Sequence, residues 1–234
     1  MLDRRFGDAE SLLFSRGRVA SAVSMWRCLG RLDNASEVAR RAGRDEHAEQ
    51  LGREHLEWLK STGQEETAGA LLEARGDLFG AIRLFLKGGV PGRAAAVVIR
   101  DAKNATNAKD VTKPSVSLDS RLVEEIVDQL KRASLHSKAG LLFDALGNLD
   151  EALRFYVAGD AFAEAVDLTK RSYTRSGGPG LGGSPSVEEL LEKWGDFLMR
   201  KGGKANAKEA SHRYVEAGHV AKAFDAALEA GEAE

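Results

Sequence analysis

Five histidines, one cysteine and one glycine-rich run are the residues of this chain with the means to bind a metal, act as a nucleophile or cradle a phosphate. The histidines are His47, His55, His136, His212 and His219. His212 and His219 would share a face only if one helix ran through both, and Gly218 between them argues against it. No Asp, Glu or Cys completes a ligand set at an established metal spacing, so exposed helix positions are the simpler account of the histidines. Cys28 has no nucleophile signature around it. It falls on the apolar side of a predicted Val19–Leu29 helix and reads as a small packing residue. The run GGPGLGG (177–183) is not a phosphate loop: no strand precedes it, no Lys-Ser or Lys-Thr follows, and Pro185 interrupts what comes next. No catalytic, cofactor-binding or metal residue is therefore assigned, no cofactor is expected, and the chain is read as non-enzymatic.

Other charged and aromatic residues also read as structural. Glu65-Glu66, Glu124-Glu125 and Glu188-Glu189 alternate with Arg and Lys, as on solvated helix faces. Trp26, Trp58 and Trp194 fall on different predicted hairpins, as core anchors would. Arg40-Arg41 with Arg44 is the clearest basic cluster. It could touch an acidic partner or lipid head group, but a solvated turn is the simpler reading.

What positions all of these is a repeat. Gly63, Gly76 and Gly89 stand thirteen residues apart, and each is followed five residues later by an alanine: Ala68, Ala81, Ala94. Gly17, Gly30 and Gly43, with Ala22, Ala35 and Ala48, repeat that step. A shift of 59 residues places Leu12, Gly17, Ala22, Trp26, Gly30 and Ala35 on Leu71, Gly76, Ala81, Phe85, Gly89 and Ala94. A shift of 71 places Gly69, Gly76, Ala81 and Phe85 on Gly140, Gly147, Ala152 and Tyr156. A shift of 129 places Ala81, Phe85, Gly89 and Ala94 on Ala210, Tyr214, Gly218 and Ala223.

The physics behind the step is short. A helix of about ten residues is marginal alone and must bury one face on a neighbour. A glycine ends it in the left-handed conformation at no steric cost. The next helix starts within a few residues, so successive helices fold into antiparallel hairpins. The alanine lets two axes approach, and the large residue beyond it fills the same stripe. About fourteen helices and no convincing strand are predicted: an all-α fold, an α-solenoid of tetratricopeptide-like hairpins with irregular repeat length.

The organisation expected is one continuous helical-repeat segment over 1–234, with flexible insertions at about 103–117 (rich in Asn, Lys, Ser and Thr) and 174–186 (rich in Gly, Ser and Pro). Ser117 or Asp119 could cap the helix that follows the first. Ser186 with Glu189 forms a capping-box pattern after the second. Neither end shows a distinct polar cap, as in a piece of a longer array.

Composition narrows the function classes. The formal net charge is −2 with 30% charged residues, which gives no electrostatic reason to expect nucleic acid. One cysteine permits no intramolecular disulfide and favours a reducing compartment. No apolar run approaches a membrane span, and the start lacks the apolar core of a signal peptide.

The runs HLEWLKSTGQEETAGALLEARGDLFGAIRLFLKGGVPGRAA (His55–Ala95), AGLLFDALGNLDEALRFYVAGDAFAEAVDL (Ala139–Leu168), EKWGDFLMRKG (Glu192–Gly202) and SHRYVEAGHVAKAFDAAL (Ser211–Leu228) resemble the repeat region of the largest subunit of intraflagellar transport complex B. HLEWLKSTGQEE is the most specific of them, since a generic helical repeat has no need of that string. The resemblance implies a non-enzymatic scaffold of the trains that motors move along the ciliary axoneme, with this chain an internal piece of the C-terminal helical tail. It implies other intraflagellar transport subunits as partners, with motors, cargo or a membrane surface as further contacts. It places the protein at the cilium or flagellum and its basal body, on the cytoplasmic side. A competing reading is a vesicle-coat-like or membrane-associated α-solenoid, because coat proteins use related hairpins and a shared fold does not fix function. An enzyme with a site between helices has no titratable constellation to support it.

Overall fold

A computed structural model of the chain describes residues 2–107, 120–176 and 185–231. Among the described residues there are fourteen α-helices and no strand. They form two compact units, Met1–Gly88 and Gly89–Glu234.

The first unit holds α1 (Leu2–Ser15), α2 (Val19–Cys28), α3 (Leu32–Arg41), α4 (Asp45–Ser61), α5 (Glu65–Ala74) and α6 (Leu78–Lys87). The second holds α7 (Pro91–Asn107), α8 (Ser120–Arg132), α9 (His136–Ala145), α10 (Leu149–Ala158), α11 (Phe162–Ser176), α12 (Val187–Lys201), α13 (Lys204–Glu216) and α14 (Val220–Ala230). Within each unit consecutive helices pack on one another, and α7 also packs on α9. This is the solenoid arrangement that the thirteen-residue step predicts.

The turns explain the step. At the end of α2, Gly30 N–H donates to Arg27 O at 3.0 Å and Arg31 N–H to Trp26 O at 2.9 Å, with Gly30 at φ +70°. This is a Schellman ending, which satisfies carbonyls that the helix leaves open. The second unit keeps the step with fewer glycines. Ser134 (φ +56°) and Asp160 (φ +54°) stand thirteen residues either side of Gly147 (φ +79°). Both make the same two bonds: Ser134 to Lys131 O and Leu135 to Leu130 O, Asp160 to Val157 O and Ala161 to Tyr156 O. A side chain in that conformation costs roughly 1–2 kcal/mol.

Packing inside each hairpin rests on small residues against large ones. Ala22, Ala35, Ala68, Ala81, Ala94, Ala139, Ala152, Ala165, Ala210 and Ala226 have no exposed surface. A Cβ built at Gly69 would lie 2.7 Å from the Phe85 ring, at Gly140 2.6 Å from the Tyr156 ring, and at Gly195 2.6 Å from the Tyr214 ring. These rings are all but fully buried, each worth roughly 1.5–3 kcal/mol of burial. In α1–α2 the position equivalent to Gly69 is Glu10, and Trp26 turns its indole N–H to it, 2.9 Å from Oε2.

Three readings from the sequence are corrected. Trp58 is not a core anchor: it is 45% exposed. The buried stripe of α4 is Ala48, Leu51, Gly52 and Leu59, and 3.6 residues per turn carry its middle through position 55 and leave position 58 on the flank. His55, expected to face solvent, is accordingly half-buried and stacks on Trp58 with ring centroids 6.2 Å apart. Cys28 is exposed and not a packing residue, because it lies two residues, about 200°, round the helix from buried Trp26.

The described margins of the two polar stretches are helical. Residues 103–107 continue α7, 174–176 continue α11, and Ser186 Oγ caps α12 by accepting from Glu189 N–H at 3.2 Å. The rest of both stretches, 108–119 and 177–184, with Ser117, Asp119 and the GGPGLGG run, lies outside the described residues.

Candidate functional site

Among the described residues no group of three or more His, Cys, Asp or Glu is placed to hold a metal ion, and no helix is long and apolar enough to cross a membrane. The histidines are dispersed. His47 and His55 lie in α4, His136 opens α9, His212 lies in α13, and His219 precedes α14. Gly218 at φ +79° breaks the helix between the last two.

Three polar clusters tie helices together, and none of their members was singled out as a group by sequence spacing. The richest joins α12, α13 and α14. The Tyr214 hydroxyl donates to Asp196 Oδ1 at 2.7 Å; Lys222 Nζ donates to Asp196 Oδ1 at 3.0 Å and to Glu192 Oε1 at 2.7 Å. His219 Nε2 stands 3.4 Å from Glu192 Oε2. Beside it, Arg213 stacks over Trp194 at 4.1 Å and pairs with Glu209 and Glu216.

The charge states of this cluster follow from its contacts. Burial pushes the Tyr214 hydroxyl well above its ordinary range, and its bond to Asp196 adds to that. Hydrogen bonds to Glu192 and then Asp196 raise the Lys222 ammonium. The bond from Lys222 lowers Glu192. For Asp196 the largest influence is burial, which opposes charge, but Tyr214 and Lys222 together outweigh it and hold the carboxyl low. Every shift thus fixes a group in the state it already has at neutral pH. Proton-transfer and nucleophilic chemistry need the reverse, a pKa brought toward 7. The arrangement ties three helices together.

The second cluster joins α9, α10 and α11. Arg171 donates to Asp167 at 2.8 Å and to Asp144 at 3.1 Å, and the bond to Asp144 is the main reason its guanidinium is raised. The Tyr156 hydroxyl is pushed up to about 12, by burial and then by the charges of Asp144 and Glu164. The third joins α1, α2 and α3: Arg41 pairs with Glu10 at 2.6 Å, stacks over Phe14 at 5.1 Å, and shares Glu10 with Trp26. Arg41, read in the sequence as part of a solvated turn, is therefore also a tie between helices. The missed signal was an offset. Arg41 follows Trp26, and Arg171 follows Tyr156, by the same fifteen residues.

The large exposed apolar side chains include Trp58, Phe79, Leu146, Val220 and Phe224. Phe79 carries Arg83 over its ring at 4.6 Å. A groove of about 690 Å³ lies along α8, α9 and α10.

No family model matches the chain. Curated relatives do, along nearly all of it. It is 32% identical over 228 residues to intraflagellar transport protein 172 of Chlamydomonas reinhardtii, and 33% identical over 228 residues to the homologue of Homo sapiens, covering 97% of this chain in each case. Intraflagellar transport protein osm-1 of Caenorhabditis elegans is 29% identical over 232 residues, covering 99%. The chain spans about 12% of the length of these relatives.

Proposed function

Since the chain is related along nearly its whole length to one segment of intraflagellar transport protein 172, we propose that it serves as a scaffold segment of an intraflagellar transport subunit, acting through protein–protein contacts. The observation that carries this reading is a match of 228 residues at about a third identity, held across an alga and an animal. The polar clusters agree with the reading in that they tie neighbouring helices into a frame. The partners on this reading are other intraflagellar transport subunits, with motors, cargo or membrane as secondary contacts. The location is the cilium or flagellum and its base, on the cytoplasmic side.

Affinity capture of the tagged chain from ciliated cells tests it. Enrichment of intraflagellar transport subunits supports the scaffold. Recovery of only Golgi or endosomal coat proteins, together with flotation of the chain on anionic liposomes, favours the vesicle-coat reading instead.

A further inference from the structure

The groove on the second unit has a definite character. Its floor is apolar: Phe143 and Phe155 stack with centroids 5.4 Å apart and planes inclined by 16°, flanked by Val123, Val127 and Leu146. Leu146 is 39% exposed inside it. Its rim is acidic. Glu124 and Asp128 stand one turn apart on α8, and Glu151 faces them from α10. The one cation among the described lining residues, Lys131, is held 3.8 Å from Asp128 and 5.5 Å over the Phe155 ring. Glu151 is engaged by Arg154 at 2.9 Å, from outside the lining. Among the described residues, three carboxylates against the Lys131 ammonium and the Arg154 guanidinium leave the rim with a net charge of −1, and Glu124 is the carboxylate that neither cation engages.

We propose that this groove docks an amphipathic helix of a partner protein, one whose apolar stripe is flanked by lysine or arginine. An apolar trough between helices takes an α-helix through residues at i, i+3 or i+4 and i+7. Rim charge then selects among apolar helices: a basic flank is attracted and an acidic flank repelled. The same charge disfavours an anionic membrane surface as the occupant. The proposal goes beyond the scaffold reading and does not depend on it. It concerns the chemistry of one surface, and a failure here leaves the affinity capture above unaffected.

The test uses two labelled helical peptides of about fifteen residues with the same leucine stripe, one flanked by lysines and one by glutamates. Each is titrated with the chain by fluorescence anisotropy. The lysine peptide is expected to bind at least about tenfold more tightly, with a preference that shrinks as salt rises. The triple variant Glu124→Lys, Asp128→Lys, Glu151→Lys, with its helix content checked by circular dichroism, is expected to reverse that preference, because its rim carries only cations. Leu146→Glu should weaken both peptides, while Glu49→Lys on α4, far from the groove in sequence, should change neither. Equal binding of the two peptides, binding of neither, or wild-type behaviour in the folded triple and Leu146 variants would overturn the proposal.

Discussion

The α5–α6 hairpin and the α12–α13 hairpin solve one packing problem with two chemistries. In both, an aromatic ring lies on a helical glycine that has no room for a Cβ: Phe85 on Gly69, Tyr214 on Gly195. Phe85 is fully buried. Tyr214 keeps its ring inside but sends its hydroxyl to Asp196, which Lys222 of α14 also reaches. Tyr156 on Gly140 is intermediate, with a buried hydroxyl near the charges of Asp144 and Arg171. The lesson is that ring-on-glycine contact sets the geometry of the hairpin, while the polar group beyond the ring is free to vary and recruits a third helix when present.

Substitutions can break that comparison at its strongest point first. Phe85→Ala should destabilise the first unit by about 3–5 kcal/mol in urea unfolding, through lost burial and the cavity left behind. Gly69→Ala sets two effects against each other. Helix propensity favours alanine by about 1 kcal/mol, and a Cβ 2.7 Å from the ring costs roughly 1–3 kcal/mol of overpacking. A net loss is expected. Gly7→Ala is the control: it is helical with nothing within 4 Å of its Cβ, so it should stabilise by about 0.5–1 kcal/mol. If both alanines stabilise, the ring-on-glycine account fails.

Tyr214→Phe sharpens the contrast from the other side. It keeps the ring on Gly195 and removes one hydrogen bond to a carboxylate that Lys222 still holds, so a loss of about 1 kcal/mol is expected. Ser134→Gly and Asp160→Gly should each raise stability by about 0.5–1 kcal/mol, because both residues hold a left-handed turn without being glycine. Unchanged thermal midpoints would mean that their side chains compensate the strain.

The smallest effect is that of pH. Asp196 and Glu192 ionise below their ordinary 3.8 and 4.5 in the folded chain. A depressed carboxylate contributes stability above the unfolded value and loses it as pH falls through the folded one. Lys222 is raised, so its contribution is complete below the ordinary lysine value and is lost only as pH climbs through the folded value. Acidification below about pH 4 should therefore loosen α12–α14 first. The α5–α6 hairpin has one such carboxylate, Glu65, lowered chiefly by a backbone hydrogen bond and then by Lys87. Hydrogen-exchange protection, corrected for intrinsic rate, reads the difference; equal losses in both hairpins would contradict it. In α4, charging half-buried His55, whose pKa burial lowers, should cost stability as pH falls below 6.5.

Much of this frame is legible in the chain because glycine and alanine are used for backbone reasons that their spacing reveals. Gly69 and Gly140 align, as do Phe85 and Tyr156, so the ring-on-glycine pairs of α5–α6 and α9–α10 are visible as matched columns. Tyr214 falls in the Phe85 column, but its partner Gly195 escapes the alignment because nineteen residues separate the two, against sixteen in the other pairs, and a turn holding Gly202 and Gly203 lies between. Ser134 and Asp160 escape because a left-handed turn needs a tolerant residue, and not always glycine. Trp58 misleads because a residue at the flank of a helical stripe keeps the stripe's periodicity without its burial. The ion pairs Arg41–Glu10 and Arg171–Asp144 join helices that are not adjacent in sequence, and only packing brings such charges together.

The most direct measurement of the central claim is to follow the protein that carries this chain, fluorescently tagged at its own locus, in living ciliated cells. A scaffold segment of intraflagellar transport predicts tagged particles that enter the cilium and move processively along it. A signal confined to Golgi or endosomal membranes in the cell body, with none moving in the cilium, would contradict it.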